Sequence, residues 1–237
     1  IQHVSEFQKG SRRAPKMMIR TQGGEYLLKR LAPGRDGLDR VEFSHGVQRQ
    51  LQSHRFPIAG LVETVDGETM VHHKGHIFEL FHFMRGNRFD KSNQAAAEAG
   101  RVLAHMHDLL AEHPLTGAPY SGSFHDPDRI PGAITDLAAI LADHEPVDGL
   151  VGIEDTLDSL RCAFEESAQR VEDAGFRTMR LTVIHGDWHP GNLLYEEHAV
   201  VAVIDFDSLR IEPRVSDVAN GALQFSVRRG DPDHVDQ

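Results

Sequence analysis

A short segment near the end of the chain brings together side chains that can handle phosphate and metal. It starts at His185 and reads His-Gly-Asp-Trp-His-Pro-Gly-Asn, which places Asp187 and Asn192 five residues apart. A second acid, Asp205, follows the apolar run Val-Ala-Val-Ile. In phosphoryl transfer from Mg-ATP, one carboxylate receives the proton of a hydroxyl, while an amide oxygen and another carboxylate hold Mg²⁺ on the phosphates. We therefore predict that Asp187 is the catalytic base and that Asn192 and Asp205 are metal ligands.

The residue types suit Mg²⁺. Carboxylate and amide oxygens are hard ligands, and Mg²⁺ keeps several of its waters, so that a few protein groups are enough. A charged side chain directly after an apolar strand also needs a partner, and a metal ion is the simplest partner for Asp205. Asp207, two residues further on, is an additional candidate for a metal or substrate contact, with an ordinary surface charge as the alternative.

The elements that must position these residues divide the chain near residue 86. The pattern before that point predicts a helix and several strands, namely the helix at 39–54 and strands at 3–8, 16–21, 25–31 and 77–83. The pattern after it predicts three helices and two short buried strands, at 92–110, 134–141, 157–174, 181–184 and 200–204. This is an α+β fold. Its small antiparallel N-terminal lobe covers residues 1–85, and its mostly helical C-terminal lobe covers residues 86–237.

Two turn signals fall inside the N-terminal lobe. Asp66-Gly67 is a strong hairpin signal, and it predicts a strand on each side of the turn. The segment from His72 to His76, which reads His-His-Lys-Gly-His, alternates like a hairpin as well. Because successive residues of a strand face opposite sides of the sheet, these imidazoles do not converge easily on a metal ion. We predict that they are exposed.

Composition and charge exclude several classes of function. The formal net charge is −11, whereas general nucleic-acid binding requires a basic face. No apolar run approaches the roughly 20 residues that cross a membrane, so we expect no membrane partner. The single cysteine, Cys162, rules out an internal disulfide and fits the reducing cytosol, which predicts a cytoplasmic protein. Among helix-forming neighbours, we predict that Cys162 is a buried and unreactive side chain.

Four motifs in one order resemble a known family. The first is His-Gly-Asp-x-His-x-x-Asn followed by Ile-Asp-Phe, and the others are Leu27-Leu28-Lys29, the run from Gly100 to His107, and Asp217-Val218-Ala219. Together they resemble the aminoglycoside phosphotransferase group of the protein-kinase-like fold, which also includes choline kinases and type II homoserine kinases. The resemblance covers most of the chain. It implies a bilobal fold that binds ATP and Mg²⁺ and phosphorylates a hydroxyl of a small molecule.

The resemblance also assigns supporting residues. It implies that Lys29 binds the α- and β-phosphates as a point charge. It implies that Phe83 lies in a hinge whose backbone binds adenine, and that Gly10 and Ser11 belong to the loop that covers the nucleotide. The remaining positions are structural, two histidines that hold the catalytic loop and an acid that braces its backbone, namely His185, His189 and Asp217.

Three features depart from the family pattern. Kinase-like folds pair the lysine with a glutamate on the following helix, but that position falls near Ser44, and the nearest acid is Glu42. Either Glu42 pairs with Lys29 in a shifted register, or the helix supplies no acid. The nucleotide loop has a single glycine, which favours a small-molecule kinase over a protein kinase. The family continues past Asp217 with helices that shape the acceptor pocket, so we expect the C-terminal lobe to be incomplete at Gln237.

Three functions are open at this point. The first, which we favour, is an ATP-dependent kinase whose acceptor is an amino alcohol such as homoserine or choline, or an aminoglycoside. The second is a pseudokinase that binds nucleotide without turnover, supported by the unclear lysine partner and the weak nucleotide loop. The third is a metallohydrolase in which His185, Asp187, His189 and Asp205 form a transition-metal cluster, although it gives Lys29 no role. The acceptor and the oligomeric state are left open.

Overall fold

A computed structural model describes four stretches of the chain, residues 1–7, 14–117, 129–142 and 153–227. The chain divides into two compact units, of which one is Ile1–Pro119 with Leu181–Gln237 and the other is Tyr120–Arg180. The first unit contains all the strands of the described residues, and the described part of the second is helical. The predicted lobe boundary at residue 85 stays a prediction.

The first unit begins with a five-stranded antiparallel sheet. Its strands run in the order β1-β2-β3-β5-β4 and are β1 (His3–Glu6), β2 (Lys16–Thr21), β3 (Gly24–Arg30), β4 (Val71–His73) and β5 (His76–His82). The four strands given as ranges in the sequence analysis are found, each to within two residues. The register of β3 and β5 sets Lys29 directly opposite Glu79. Directly opposite residues share one face of a sheet, so their side chains are neighbours.

The hairpin predicted at Asp66-Gly67 was wrong. A tight hairpin joins β4 to β5 at Lys74-Gly75, where both residues have positive φ, 49° and 75°. A two-residue hairpin of this kind requires positive φ at both positions. At the other turn Gly67 has a φ of 83° and Asp66 is not among the positive-φ residues, and no strand flanks the turn. The prediction that the histidines beside Lys74 are exposed strand residues is confirmed for His72 and His73.

Three helices complete the larger elements of the first unit. Helix α1 (Leu38–Ser53) and helix α2 (Asn93–Leu109) match their predicted ranges to within one residue at each end. Ser92 caps α2, because its Oγ accepts a hydrogen bond from the backbone N–H of Ala95 at 3.1 Å. Helix α5 (Val215–Ser226) was not predicted.

Two small antiparallel sheets frame the region of the phosphate and metal candidates. Strand β6 (Leu181–Ile184) pairs with β9 (Arg210–Pro213), and β7 (Leu193–Glu196) pairs with β8 (Ala199–Val203). The sequence analysis predicted β6 and β8, and it missed β7 and β9. The His185 segment begins where β6 ends, and Asp205 follows the end of β8 by two residues.

One apolar core connects these elements. It takes side chains from α1, from α2 and from the strands around the His185 segment, including Val47, Leu51, Val102, Met106, Val183, Trp188, Leu193, Tyr195, Val203 and Phe206. Trp188 and Phe206 belong to the two segments that carry the candidate site residues. The core therefore fixes the backbone on both sides of the site.

The second unit contains helices α3 (Arg129–Ala142) and α4 (Ile153–Asp173), which pack on each other. The prediction that Cys162 is buried was wrong, since Cys162 is exposed. It lies five residues from Leu157, the buried residue of α4, and five residues turn a side chain well away from that face of a helix. None of the helices in the described ranges combines the length and the apolarity that crossing a membrane takes.

Replacement of a core residue of α1 tests this packing. Leu51 is fully buried, whereas Leu38 on the same helix is 46% exposed. We expect Leu51→Ala to lower the free energy of unfolding by about 2–5 kcal/mol, because it removes buried methyl groups and leaves a cavity. We expect the matched Leu38→Ala variant to change it by less than about 1 kcal/mol. Urea unfolding of the three proteins measures both, and equal losses would contradict the described core.

Candidate active site

The segment 185–192 depends on a glycine at its first turn. Gly186 has a φ of 75°, and a Cβ at that position would lie 2.3 Å from the carbonyl oxygen of Ser208. Neither the dihedral angle nor the space allows another residue without a shift of the backbone. Arg210 closes the same turn, since its Nη2 donates to the carbonyl oxygen of Gly186 at 2.6 Å.

A buried acid holds the backbone just before Asp187. Asp217, at the start of α5, accepts the backbone N–H of His185 at 2.8 Å and that of Gly186 at 2.8 Å. His107 of α2 lies at 3.0 Å from the same carboxylate and links it to the core. The Asp217 side chain is inaccessible to solvent. The structure therefore places Asp217 where the predicted brace must lie.

His185 is part of the packing. It is fully buried between the rings of Trp188 and Phe206, with ring centroids 5.5 Å and 5.0 Å away. Its Nε2 lies 3.3 Å from the carbonyl oxygen of Ile204. Burial lowers the pKa of His185, although the nearby acids oppose the shift. This ring position agrees with a structural histidine, and it withdraws the imidazole from the transition-metal cluster of the metallohydrolase hypothesis.

Asp187 and Asn192 contact each other directly. The amide nitrogen of Asn192 donates to the backbone carbonyl of Asp187 at 2.9 Å and to its carboxylate Oδ2 at 3.2 Å. The amide oxygen of Asn192 is then the atom of that side chain that suits a cation. His189 stands beside them, with Nε2 at 3.4 Å from Asp187 Oδ2, while its Nδ1 accepts the N–H of Gly191. The spacing of five residues therefore brings the predicted base and metal ligand together.

Asp205 begins a tight turn in an uncommon conformation. Its φ is 67°, in the left-handed region that side chains other than glycine rarely adopt. Such a residue costs on the order of 1–3 kcal/mol and persists only where its surroundings hold it. Here Arg35 and Arg40 donate to the carbonyl oxygen of Asp207 at 2.7 Å and 3.0 Å, and Ser44 Oγ donates to that of Phe206 at 3.3 Å. Helix α1 and the loop before it thus clamp the turn.

Lys29 reaches the same turn from strand β3. Its ammonium lies 2.6 Å from Asp207 Oδ1, 3.5 Å from Asp205 Oδ1 and 3.8 Å from Glu79 Oε2. Its side chain is 8% exposed. Burial acts to lower the pKa of Lys29, but the three carboxylates outweigh burial and the net pKa is raised. Lys29 is therefore charged at neutral pH.

The two acids of the turn differ in their titration. Burial acts to raise the pKa of Asp205, but Lys29 and Lys16 outweigh it, and the pKa lies below its ordinary value. For Asp207 burial prevails over the attraction of Lys29, and the pKa is raised. The side chain of Asp205 is also the more exposed of the two, 43% against 21%. Asp205 is thus the more accessible carboxylate of the turn, and the shift of its pKa favours its ionised form.

The donor set fits a divalent cation that prefers oxygen. Three carboxylates, those of Glu79, Asp205 and Asp207, lie within 3.8 Å of the Lys29 ammonium, and carboxylate oxygens are hard ligands that suit such a cation. No group of three or more His, Cys, Asp or Glu side chains in the described ranges is arranged to hold a metal ion. Mg²⁺ does not need such a group, because it is usually bound through one or two carboxylates, substrate phosphates and water. Asp205 and Asn192 can supply that contribution.

These groups open into one large cleft of about 1380 Å³. Of the predicted residues, Lys29, Phe83, Asn192, Asp205 and His189 line it. Its apolar wall includes side chains from the sheet, from the segment after α1 and from β7, such as Leu27, Phe81, Ile58 and Leu194. Asp187 and Asp217 are not among the lining residues, although Trp188 and His189, which follow Asp187, are. Gly10 and Ser11 lie outside the described residues.

Several contributors were missed from the sequence. Glu42 is exposed and does not pair with Lys29, so the alternative in which it does was wrong. Glu79 is the partner that lies opposite in the sheet, and an acid at a buried alternate position of the predicted strand 77–83 was the available signal. Arg35 and Arg40 carried no local signal, because only the tertiary structure brings them to Asp207.

The chain matches a family model over nearly its whole length. The model is described as the phosphotransferase enzyme family, and it matches residues 3–236. Stress response kinase A of Escherichia coli (strain K12) is 28% identical over 204 residues, and that of Salmonella choleraesuis (strain SC-B67) is 26% identical over 197 residues. Serine/threonine protein kinase RdoA of Salmonella typhimurium (strain LT2) is also 26% identical over 197 residues. Each alignment covers 81% of this chain and 55% of the relative, so the chain spans about half their length.

Solved structures share the fold. Amicoumacin kinase hAmiN, in complex with AMP-PNP, Ca²⁺ and Ami, has a TM-score of 0.67 at 14% identity, and the match covers 92% of this chain and 63% of that one. Spectinomycin phosphotransferase APH(9)-Ia, in complex with ADP and spectinomycin, has a TM-score of 0.67 at 15% identity, with coverages of 91% and 66%. At such identities the likeness shows the fold. The predicted α+β, protein-kinase-like fold is confirmed.

The Asp217 contacts predict a measurable loss of stability. We expect Asp217→Asn to lower the free energy of unfolding by roughly 1–3 kcal/mol, because an amide cannot accept both backbone N–H groups and one buried donor is left without a partner. Native-state amide exchange should also become faster at His185 and Gly186. The exposed Asp66 provides the control variant Asp66→Asn. Unchanged exchange at both amides in Asp217→Asn would contradict the brace.

Proposed function

The chain belongs to the phosphotransferase enzyme family, and from this premise we propose that it transfers the γ-phosphoryl group of Mg-ATP to a hydroxyl of a small molecule. One observation carries the proposal. Lys29, Asn192 and Asp205 line one cleft, and the Asp187 carboxylate contacts Asn192 at its edge. These are a cation for phosphates, oxygen ligands for Mg²⁺ and a carboxylate for the attacking hydroxyl.

Binding and orientation of the phosphates fall to the cluster around Lys29. Its ammonium is charged and held by carboxylates, so it is a fixed positive charge for the α- and β-phosphates. Asn192 and Asp205 would hold Mg²⁺ with their oxygens. When bound, the ion would neutralise the negative charge of the phosphate oxygens. The carboxylate of Asp207, which is ion-paired with Lys29, is a second candidate ligand for Mg²⁺.

Asp187 acts on the acceptor. The amide of Asn192 engages its Oδ2, which leaves Oδ1 for the hydroxyl of the acceptor. Since the transition state of phosphoryl transfer is loose, alignment of this hydroxyl matters more than complete removal of its proton. The Asp217 contacts to the preceding two residues keep the Asp187 backbone in place. Asp187 receives the proton as the new ester bond forms.

The nucleotide base suits the apolar end of the cleft. Leu27, Ile58 and Leu194 can cover the faces of an adenine ring, and the chain from Phe81 to Phe83 passes beside them. Backbone groups of this stretch would bind the edge of the ring, as predicted for Phe83. The loop that contains Gly10 and Ser11 would cover the phosphates.

The acceptor that we propose is an amino alcohol such as homoserine or choline, or an aminoglycoside. Two solved relatives are in complex with small molecules, Ami and spectinomycin, together with a nucleotide. A curated relative is named a serine/threonine protein kinase, and this makes a protein hydroxyl the second acceptor class to examine. No metal cluster of the described residues favours the metallohydrolase.

Turnover of Mg-ATP with a panel of acceptors tests the proposal. The panel contains homoserine, choline, an aminoglycoside and a serine-containing protein, and release of ADP is the measurement. We expect one class to stimulate ADP release, and Asp187→Asn to lower kcat by about 10²- to 10⁴-fold, the usual contribution of a general base. Affinity for Mg-ADP should change little, because Asp187 acts on the acceptor.

The control is Asp66→Asn, which we expect to retain wild-type turnover. Acceptor-dependent turnover that survives in Asp187→Asn would contradict the role of Asp187. Binding of Mg-ATP without turnover on the whole panel would favour the pseudokinase. A folded protein that binds no Mg-ATP would overturn both.

Thermal unfolding tests the nucleotide and metal site separately. Saturation with Mg-ADP at about 100 times its Kd should stabilise the folded chain by about 2.7 kcal/mol, seen as a rise in Tm. Chelation of Mg²⁺ should remove most of this rise. In Asp205→Asn the rise should be much smaller, whereas Asp66→Asn should match the wild type. An identical rise with and without Mg²⁺ would contradict the metal site.

A further inference from the structure

We propose that Glu79 of strand β5, oriented by His45, positions Lys29 for the nucleotide in place of an acid on helix α1. This inference rests on the proposed function, and it identifies a positioning residue that the sequence analysis did not find. The partners are Thr69, His45, Glu79 and Lys29, which we call the lysine relay.

The sheet register brings the pair together. Lys29 of β3 and Glu79 of β5 are directly opposite in adjacent antiparallel strands. Lys29 is 6% and Glu79 is 3% exposed, so both side chains lie on the buried face. An ammonium in such surroundings requires an anion within the same protein interior. Because the two strands share one hydrogen-bonded sheet, the backbone of Glu79 keeps its place relative to that of Lys29.

One oxygen of Glu79 is already engaged. His45 of α1 lies with Nε2 at 2.8 Å from Glu79 Oε1, and its Nδ1 lies 2.7 Å from Thr69 Oγ1. All three side chains are buried. The contact with His45 fixes the orientation of the carboxylate and directs Oε2 towards Lys29.

The second carboxylate oxygen of Glu79, Oε2, is available to accept a hydrogen bond from Lys29. Glu79 Oε2 is buried and accepts no hydrogen bond within the described residues, and the Lys29 ammonium is 3.8 Å away. A buried carboxylate oxygen without a donor is costly. In this structure Asp207 holds the ammonium at 2.6 Å. When Asp205 and Asp207 turn to a bound cation, Glu79 Oε2 is the acceptor that keeps Lys29 aligned with the phosphates.

Helix α1 offers no alternative among its buried positions. Ser44 is buried and its Oγ donates to the carbonyl oxygen of Phe206, so this position faces the turn but carries no charge. Glu42, two residues earlier, is exposed. The carboxylate that kinase-like folds take from this helix is thus supplied here by the sheet.

The test compares two glutamates in the full chain. Glu79→Gln keeps the size of the side chain and removes its charge, and Glu42→Gln is the matched control on α1. We measure kcat, KM for Mg-ATP, the Kd of Mg-ADP and Tm. Glu79→Gln should lower kcat/KM by about 10- to 100-fold, the usual cost of losing a residue that supports a ligand-binding group. Glu42→Gln should match the wild type.

A second variant separates positioning from folding. In Ser44→Glu/Glu79→Gln the carboxylate returns to the helix position that faces the turn, and we expect at least a several-fold recovery of kcat/KM over Glu79→Gln. A purely structural role of Glu79 would not be rescued from another element. If Glu79→Gln does not fold, Glu79→Asp replaces it, and its retracted carboxylate should still lower kcat/KM several-fold.

The results distinguish this inference from the proposed function. Wild-type kcat/KM and Mg-ADP affinity in Glu79→Gln, or full activity in Glu79→Asp, would overturn the lysine relay and leave the kinase proposal standing. A loss in Glu42→Gln as large as that in Glu79→Gln would also overturn it. If the wild type binds Mg-ADP but transfers no phosphate, the kinase proposal fails, and a weakened Mg-ADP affinity in Glu79→Gln still supports the relay. A wild type that binds no nucleotide overturns both.

Discussion

The buried ammonium of Lys29 is the constraint on which the rest of the site depends. A charge that is 8% exposed requires anions around it, and strand β5 and the turn after β8 provide them. Of these anions, Asp205 has the most exposed side chain, which leaves it accessible to a divalent cation. The same ion pairs tie the five-stranded sheet to the turn that carries Asp205. The contacts that hold the sheet to this turn are thus the same contacts that we propose to position Lys29 for phosphate binding.

In the segment 185–192, a buried side chain holds the backbone and an exposed carboxylate is accessible to a substrate. The side chain of Asp217 is fully buried and accepts the backbone N–H groups of His185 and Gly186. The next residue, Asp187, has a side chain that is 45% exposed. A rigid backbone under an accessible carboxylate allows that carboxylate to meet a substrate without a search through conformations. The strained φ of Asp205 fits the same plan, because Arg35, Arg40 and Ser44 hold the turn from outside.

The family match and the choice of acceptor depend on different residues. The residues that we propose to bind phosphate lie in short segments within residues 3–236, the range that matches the family model. The acceptor is chosen by groups that contact only the acceptor. The chain spans about half the length of its curated relatives, and solved relatives with similar folds bind different small molecules. Phosphoryl transfer is therefore the firmer part of the proposal, and the acceptor is the part that experiment must supply.

Local chemistry determined what could be predicted from the sequence. Asp187 and Asn192 lie in one short segment, so their contact could be predicted from their spacing. The ranges of α1 and α2 and of strands such as β2 and β5 followed from periodicity, whereas β7, β9 and α5 were not predicted. Contacts between distant segments were decided by the tertiary structure. The strand register places Glu79, and not Glu42, beside Lys29. Lys74-Gly75 forms a hairpin, whereas no strands flank the turn at Asp66-Gly67. The residues that meet at the buried ammonium are separated by up to 178 positions, and only packing can bring them together.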